Sequence, residues 1–190
     1  MLVTKNKVFV ITGAAGSGKT TVSNYLVDKY HMEKVITHTT RKPREQEKDN
    51  IDYYFETLDS FKENHYLEFV EYAGNYYGSS FEGLTRAFEK SPLATIVLDT
   101  NGAITYKNQL KDEAVIIFLE VDDAQILYQR MLDRGDQQAN IDSRINSLEY
   151  IRDLKLPDEL VGQAYVVKNN NWQMTQQEID QIVQDNLKMD

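Results

Sequence analysis

Between Gly13 and Thr20 the chain reads Gly-Ala-Ala-Gly-Ser-Gly-Lys-Thr, a spacing of glycines, lysine and hydroxyl that suits the capture of phosphate. Phosphate oxygens need several donors at close range, and glycines let successive backbone N–H groups converge on them with no Cβ in the way. Gly13, Ala14, Ala15, Gly16, Ser17 and Gly18 then form a loop around a nucleoside triphosphate. Lys19 offers a mobile cation to the β- and γ-phosphates, Thr20 places its hydroxyl to ligate Mg²⁺, and Thr21 closes the loop. A helix starting near Lys19 turns its positive dipole end toward the same anions. The alternative is an ordinary glycine turn between strand and helix, and the full pattern outweighs it.

Other charged residues point the same way. Arg41, Lys42 and Arg44 form one basic cluster and Arg130, Arg134 and Arg144 another, in a chain whose formal net charge is −9. That overall charge argues against a nucleic-acid surface, whereas positive clusters in an acidic chain suit small anionic ligands. Asp99, just past an apolar run, has two readings of equal weight. It either holds Mg²⁺ through water or is a strand-end turn residue, as Thr100-Asn101-Gly102 suggests.

A chain of 190 residues with 41% hydrophobic content can bury one core that carries smaller insertions. The absence of cysteine excludes a disulfide scaffold and a cysteine-ligated zinc site. The only early apolar run, Val8 to Ile11, is too short for a signal peptide and nothing later approaches a membrane span, so a cytoplasmic protein without membrane partners is expected. Lys7 to Thr12 reads as a buried strand and Lys19 to about Tyr30 as a helix along Val22, Tyr25, Leu26 and Lys29. Residues 36 to 80 break the pattern with polar and aromatic stretches at Tyr53 to Phe55, Tyr66 to Tyr72 and Asn75 to Tyr77, which reads as a β-rich insertion.

Alternation then resumes: helix from Phe81 to Glu89, strand from Leu93 to Leu98, helix from Ala103 to Leu110, strand from Ala114 to Leu119, and helix from Asp122, its N-cap, to Leu132. Asp133 to Asn140 is polar and reads as a mobile loop, followed by one helix from Ile141 to about Asp153. A last strand at Ala164 to Val167 precedes a helix that Thr175 and Glu178 open as a capping box. Buried strands separated by helices imply a parallel sheet covered on both faces, with ligands beyond the strands' carboxyl ends.

Thr37-His38-Thr39-Thr40-Arg41-Lys42-Pro43-Arg44 resembles the S-x-T-T-R-x-P-R signature of guanylate kinases. The likeness continues through Asp52-Tyr53-Tyr54-Phe55 (D-Y-x-F), Leu67-Glu68 (L-E), Gly74 to Ser79 (G-N-Y-Y-G-[ST]), Arg130 to Gly135 (R-L-x-x-R-G) and Ile141 to Ile145 (I-x-x-R-L). With the glycine loop it spans roughly residues 7 to 172 in order.

The resemblance implies an α/β P-loop NTPase-type three-layer fold with a parallel central sheet. One domain would comprise a core (1–35, 81–132 and 145–190), a GMP-binding insertion (36–80) and a mobile lid (133–144). It implies phosphoryl transfer from ATP to GMP with Mg²⁺. Thr37, Arg41, Arg44, Tyr53 and Tyr77 would hold the GMP phosphate, while Glu68 and Ser79 read guanine. Arg130, Arg134 and Arg144 would close over ATP, Lys19 and Arg41 would share in catalysis, Thr20 and Asp99 would hold the metal, and Asn169 would lie near adenine. The family's D-x-D-x-Q-G is shortened here to Asp99-Thr100-Asn101-Gly102-Ala103, so Asn101 replaces a second acid that helps hold guanine. The stretch from Phe61 to Tyr66 is about a turn short, and Glu120-Val121-Asp122 replaces the usual P-P-S. A monomer or small homo-oligomer is expected. Two alternatives remain at this stage: a kinase of another small phosphorylated acceptor, and a non-catalytic binding module of the same scaffold.

Overall fold

The structure, a computed structural model, describes residues 5–43, 47–72 and 74–188. Its first half runs β1 (Lys7–Thr12), α1 (Lys19–Tyr30), β2 (Glu33–Lys34), β3 (His38–Thr39), β4 (Tyr54–Phe55), α2 (Leu58–Glu63), β5 (Tyr66–Tyr72), β6 (Asn75–Ser80) and α3 (Phe81–Lys90). Its second half runs β7 (Leu93–Val97), α4 (Thr100–Leu110), β8 (Ala114–Glu120), α5 (Ala124–Asp133), α6 (Gln138–Ile145), α7 (Leu148–Asp153), β9 (Ala164–Lys168) and α8 (Trp172–Lys188).

Side chains alternate across a strand, so an uninterrupted apolar run needs an apolar layer on each face. β1 meets that condition. Val8 and Val10 join Leu84, Ala87, Ala103 and Tyr106 of α3 and α4 on one face. Phe9 and Ile11 join Val22 and Leu26 of α1 and Ile179 and Val183 of α8 on the other. Five parallel strands in the order β2-β7-β1-β8-β9 make this central layer. A third cluster, Ala14, Leu127, Met131, Ile141 and Tyr150, docks α5, α6 and α7 against the glycine loop. The aromatic stretch folds as a separate four-stranded sheet in the order β4-β3-β6-β5. Tyr66 and Tyr76 pack on Phe61 of α2, a short helix that the sequence reading did not anticipate.

Several local expectations are corrected. α4 starts three residues early because Asp99 caps it, accepting from Gly102 N–H at 2.7 Å. Asp123, not Asp122, caps α5, while Asp122 pairs with Lys168. The expected loop to Asn140 gives way to α6 at Gln138. The single helix from Ile141 to Asp153 is broken, because Ser147 opens α7 with a cap to Tyr150 N–H at 3.2 Å. α8 begins at Trp172, so Thr175 lies inside it, and its hydroxyl bonds Asn169 and the Asn171 carbonyl rather than forming a capping box. No helix among the described residues is long and apolar enough to cross a membrane.

Candidate active site

The glycine loop leaves β1 at the carboxyl end of the sheet, and its backbone could not follow this path with side chains at every position. Gly18 has φ +96°, and a Cβ there would stand 2.3 Å from the Asn169 side-chain nitrogen. Gly13, at φ +127°, would meet the Leu119 carbonyl oxygen at 2.5 Å. Asn169 is the brace behind the loop. Its amide donates to Ser17 O at 2.7 Å, its side-chain oxygen accepts from Thr175 Oγ1 at 2.9 Å, and its backbone carbonyl accepts from Arg130 Nη2 at 2.8 Å.

In front of the loop lies a cavity of about 820 Å³ lined by Ala15, Gly16, Gly18, Lys19, Thr20, Thr21, Arg130, Asp133, Arg134, Arg144, Asn169 and Trp172. Gly13, Ala14 and Ser17, expected to bind ATP, do not line it: the carbonyls of Gly13 and Ala14 receive Lys19 Nζ at 2.6 and 2.9 Å, Ala14 packs on Leu127, and the Ser17 carbonyl receives the Asn169 amide. Among the described residues, few buried polar side-chain atoms lack a hydrogen-bond partner, and three belong to this region: Thr12 Oγ1, Ser17 Oγ and Arg130 Nη1. A buried guanidinium nitrogen without an acceptor is costly, and an anion in the cavity would relieve it. Arg134 and Arg144 both pair with Asp136, Arg134 through Nε at 3.0 Å and Arg144 through Nη1 at 3.6 Å.

A second cavity, of about 270 Å³, is lined by Lys19, Thr37, Tyr53, Glu68, Val70, Tyr77, Gly78, Val97, Leu98 and Asp99. Lys19 is therefore common to both. Burial lowers its ammonium to about 8, with Arg134 and Arg144 pushing the same way and the carboxylates of Asp153 and Asp99 opposing. At the far end Glu68 Oε1 accepts from Ser79 N–H at 3.1 Å and Ser79 Oγ–H at 3.0 Å. Burial pushes the Glu68 carboxyl up to about 7, with the charge of Asp99 adding and the Ser79 bonds opposing. Arg41 lies outside the lining of either cavity. Its Nη2 pairs with Glu47 at 2.8 Å, and its guanidinium sits 5.5 Å from the centre of the Tyr53 ring. Asn101 is exposed in the first turn of α4 and lines neither cavity. Arg44 falls outside the described residues.

Asp99 resolves toward the cap. Its Oδ1 takes Gly102 N–H and its Oδ2 takes Arg152 Nη2 at 2.7 Å, while Arg152 Nε bonds Asp153 at 2.9 Å and Thr100 Oγ1 at 3.0 Å. Arg152 and Asp153 escaped the sequence reading because a charged doublet at a helix end follows no spacing rule. Trp172, which edges Tyr25 at 5.5 Å, was missed likewise. No group of three or more His, Asp or Glu side chains suited to a metal occurs among the described residues. Mg²⁺ needs only one or two protein oxygens beside phosphates and water, so the exposed Thr20 hydroxyl fits it, and Asp99, with one hydrogen bond on each oxygen, keeps lone pairs for a further contact.

Comparison with known proteins bears on this arrangement. The sequence profile of the family described as guanylate kinase matches residues 5–186. A guanylate kinase of Chlamydia muridarum is 36% identical over 160 residues, covering 81% of this chain and 70% of that protein. One from Thermus thermophilus is 34% identical over 163 residues, covering 83% and 74%. A crystal structure of guanylate kinase from Anaplasma phagocytophilum superposes with a TM-score of 0.68 at 23% identity, covering 97% of this chain and 87% of that one, and supports the fold.

Proposed function

The chain belongs to the guanylate kinase family, and from that premise we propose how its own residues divide the reaction between them. The enzyme transfers the γ-phosphoryl group of ATP to GMP, giving ADP and GDP. The observation that carries the assignment of roles is that Lys19 lines both cavities, one edged by arginines and the other ended by a buried carboxylate.

In this reading the larger cavity takes ATP. The backbone N–H groups of the glycine loop and the start of α1 receive the phosphates, and Arg130 Nη1 finds there the acceptor that it lacks in the protein. The smaller cavity takes GMP. Thr37, Tyr53 and Tyr77 line the region for its phosphate, with Arg41 turning in from Glu47. Guanine presents two adjacent donors, N1–H and the 2-amino group, and the Glu68 carboxylate accepts both in one plane.

A GMP phosphate oxygen then attacks the γ-phosphorus in line, and the bond to the β–γ bridging oxygen breaks as its electrons pass to ADP. Lys19 leaves the Gly13 and Ala14 carbonyls to stabilise the charge between the two nucleotides. Arg134 and Arg144 exchange Asp136 for the transferring group. The Thr20 hydroxyl, with Asp99 as a further candidate, would hold Mg²⁺, and the ion would supply positive charge to the triphosphate. Phosphorus NMR of the protein mixed with Mg·ATP and GMP tests this reading: ADP and GDP should appear in equal amounts. Inorganic phosphate in place of GDP would show a hydrolase instead.

A further inference from the structure

Behind Glu68 lies a buried hydroxyl that the mechanism above does not use. Tyr106, on the second turn of α4, is wholly removed from solvent, and its oxygen is among the few buried polar atoms of the described residues that form no hydrogen bond. Its cluster is otherwise apolar, with Leu67, Leu84, Ala103 and Ile116. Phenylalanine would fill such a place without the desolvation cost of an unpaired hydroxyl. Burial keeps this phenol protonated, and of the polar groups near enough to act on it the Ser79 hydroxyl opposes that shift while the Glu68 charge adds to it.

Ser79 has one hydroxyl proton and commits it to Glu68 Oε1. Its oxygen can therefore only accept on the side away from the carboxylate, and a phenol that stays protonated can only donate there. The approach is held from behind as well, since Gln109 Nε2 of the same helix donates to the backbone carbonyl of Leu67, next to Glu68, at 3.1 Å. α4 thus reaches the base end of the smaller cavity from its buried side.

We propose that Tyr106 is a positioning residue for base recognition: in the GMP complex its hydroxyl donates to Ser79 Oγ, gaining the partner that it lacks in the free protein, and so keeps the Ser79 proton on Glu68 and the carboxylate facing the incoming base. The proposal rests on the reading that Glu68 and Ser79 receive guanine. A chain of three polar groups, each donating to the next, polarises along its length. Removing its first donor loosens the last acceptor without touching the substrate.

Steady-state kinetics of the full chain test this with Tyr106→Phe, Ser79→Ala, the double variant and Glu68→Gln. Tyr106→Phe should raise KM for GMP about fivefold, the equivalent of one net hydrogen bond, with kcat and KM for ATP within about twofold of the parent and no fall in Tm. In the Ser79→Ala background the same change should add nothing. An unchanged KM for GMP, an equal loss in both backgrounds, or a loss spread over kcat, KM for ATP and Tm would each overturn the proposal. Glu68→Gln separates the two levels. If it leaves the preference for GMP over AMP intact, the base-site reading itself fails; if it abolishes that preference while Tyr106→Phe is silent, only the role of Tyr106 falls.

Discussion

Lys19 and Glu68 both line the smaller cavity and are shifted in opposite directions by the same cause, loss of water. Their protonation sets a window. In the proposed reading Glu68 accepts from guanine only as a carboxylate, and burial pushes its carboxyl up to about 7. Hence kcat/KM for GMP should fall as pH drops through about 7, on top of any effect of the substrate phosphate, which titrates near about 6. Lys19 serves phosphate only as an ammonium and is lowered to about 8, so kcat/KM for ATP should fall as pH rises through that value. In kcat this alkaline limb should lie higher, because bound triphosphate favours the charged lysine. Glu68→Gln should erase the limb near 7 and leave the one near 8, and a pH profile unchanged by that substitution would refute the role of Glu68. Lys19→Ala should lower kcat by roughly 10² or more, as losses of positioned charge do, while Tm changes little because Lys19 contacts the loop's own carbonyls rather than the core.

At the scale of elements, the sites depend on how loops and helix ends are braced. Asn169, between β9 and α8, ties the glycine loop to Thr175 through two buried side-chain hydrogen bonds, and its backbone carbonyl holds Arg130 through a partly buried one. Asn169→Ala should cost about 1–3 kcal/mol, a fall of roughly 2–12 °C in Tm for a chain of this size, and should raise KM for ATP more than for GMP. Calorimetry with both KM values checks it. Arg144, near the end of α6, pairs with Asp136 at 3.6 Å and lines the larger cavity. Arg144→Ala should lower kcat more than it raises either KM, since its contact strengthens with transition-state charge; equal losses in KM would indicate ground-state binding instead. Much of this architecture was legible beforehand. Four strands of the central layer, β1, β7, β8 and β9, announce themselves as apolar runs and the glycine loop by spacing, whereas the edge strand β2, Glu33–Lys34, carries no apolar residue and was not legible. The break at Asn146 and Ser147 was not, because a serine cap inside a polar helix looks like any surface serine until the chain turns there. Nor was the helix in the insertion, whose capping box of Thr57 and Ser60 lacks the expected glutamate. Asp99 was legible as two things at once, and only its bonds to Gly102 and Arg152 favour the cap.

For the whole molecule, the proposed reading has the central sheet supply the donor loop and the smaller sheet the acceptor wall, with Lys19 lining both cavities. Transfer to GMP rather than to water requires both walls to close on the nucleotides. Small-angle scattering should therefore show a smaller radius of gyration with a bisubstrate analogue than without it, and identical profiles would count against closure. The central claim concerns the acceptor, because the glycine loop alone would serve many kinases. Adenine lacks the 2-amino group and presents a lone pair at N1, so Glu68 would face an acceptor and stay poorly paired. The most direct measurement is coupled ADP release with GMP, AMP, UMP and CMP offered in turn. GMP should exceed the others in kcat/KM by roughly 10³ or more, with the discrimination typical of sites built on such hydrogen bonds as an upper mark. AMP turned over as well as GMP, or no turnover with any of the four, would contradict the account.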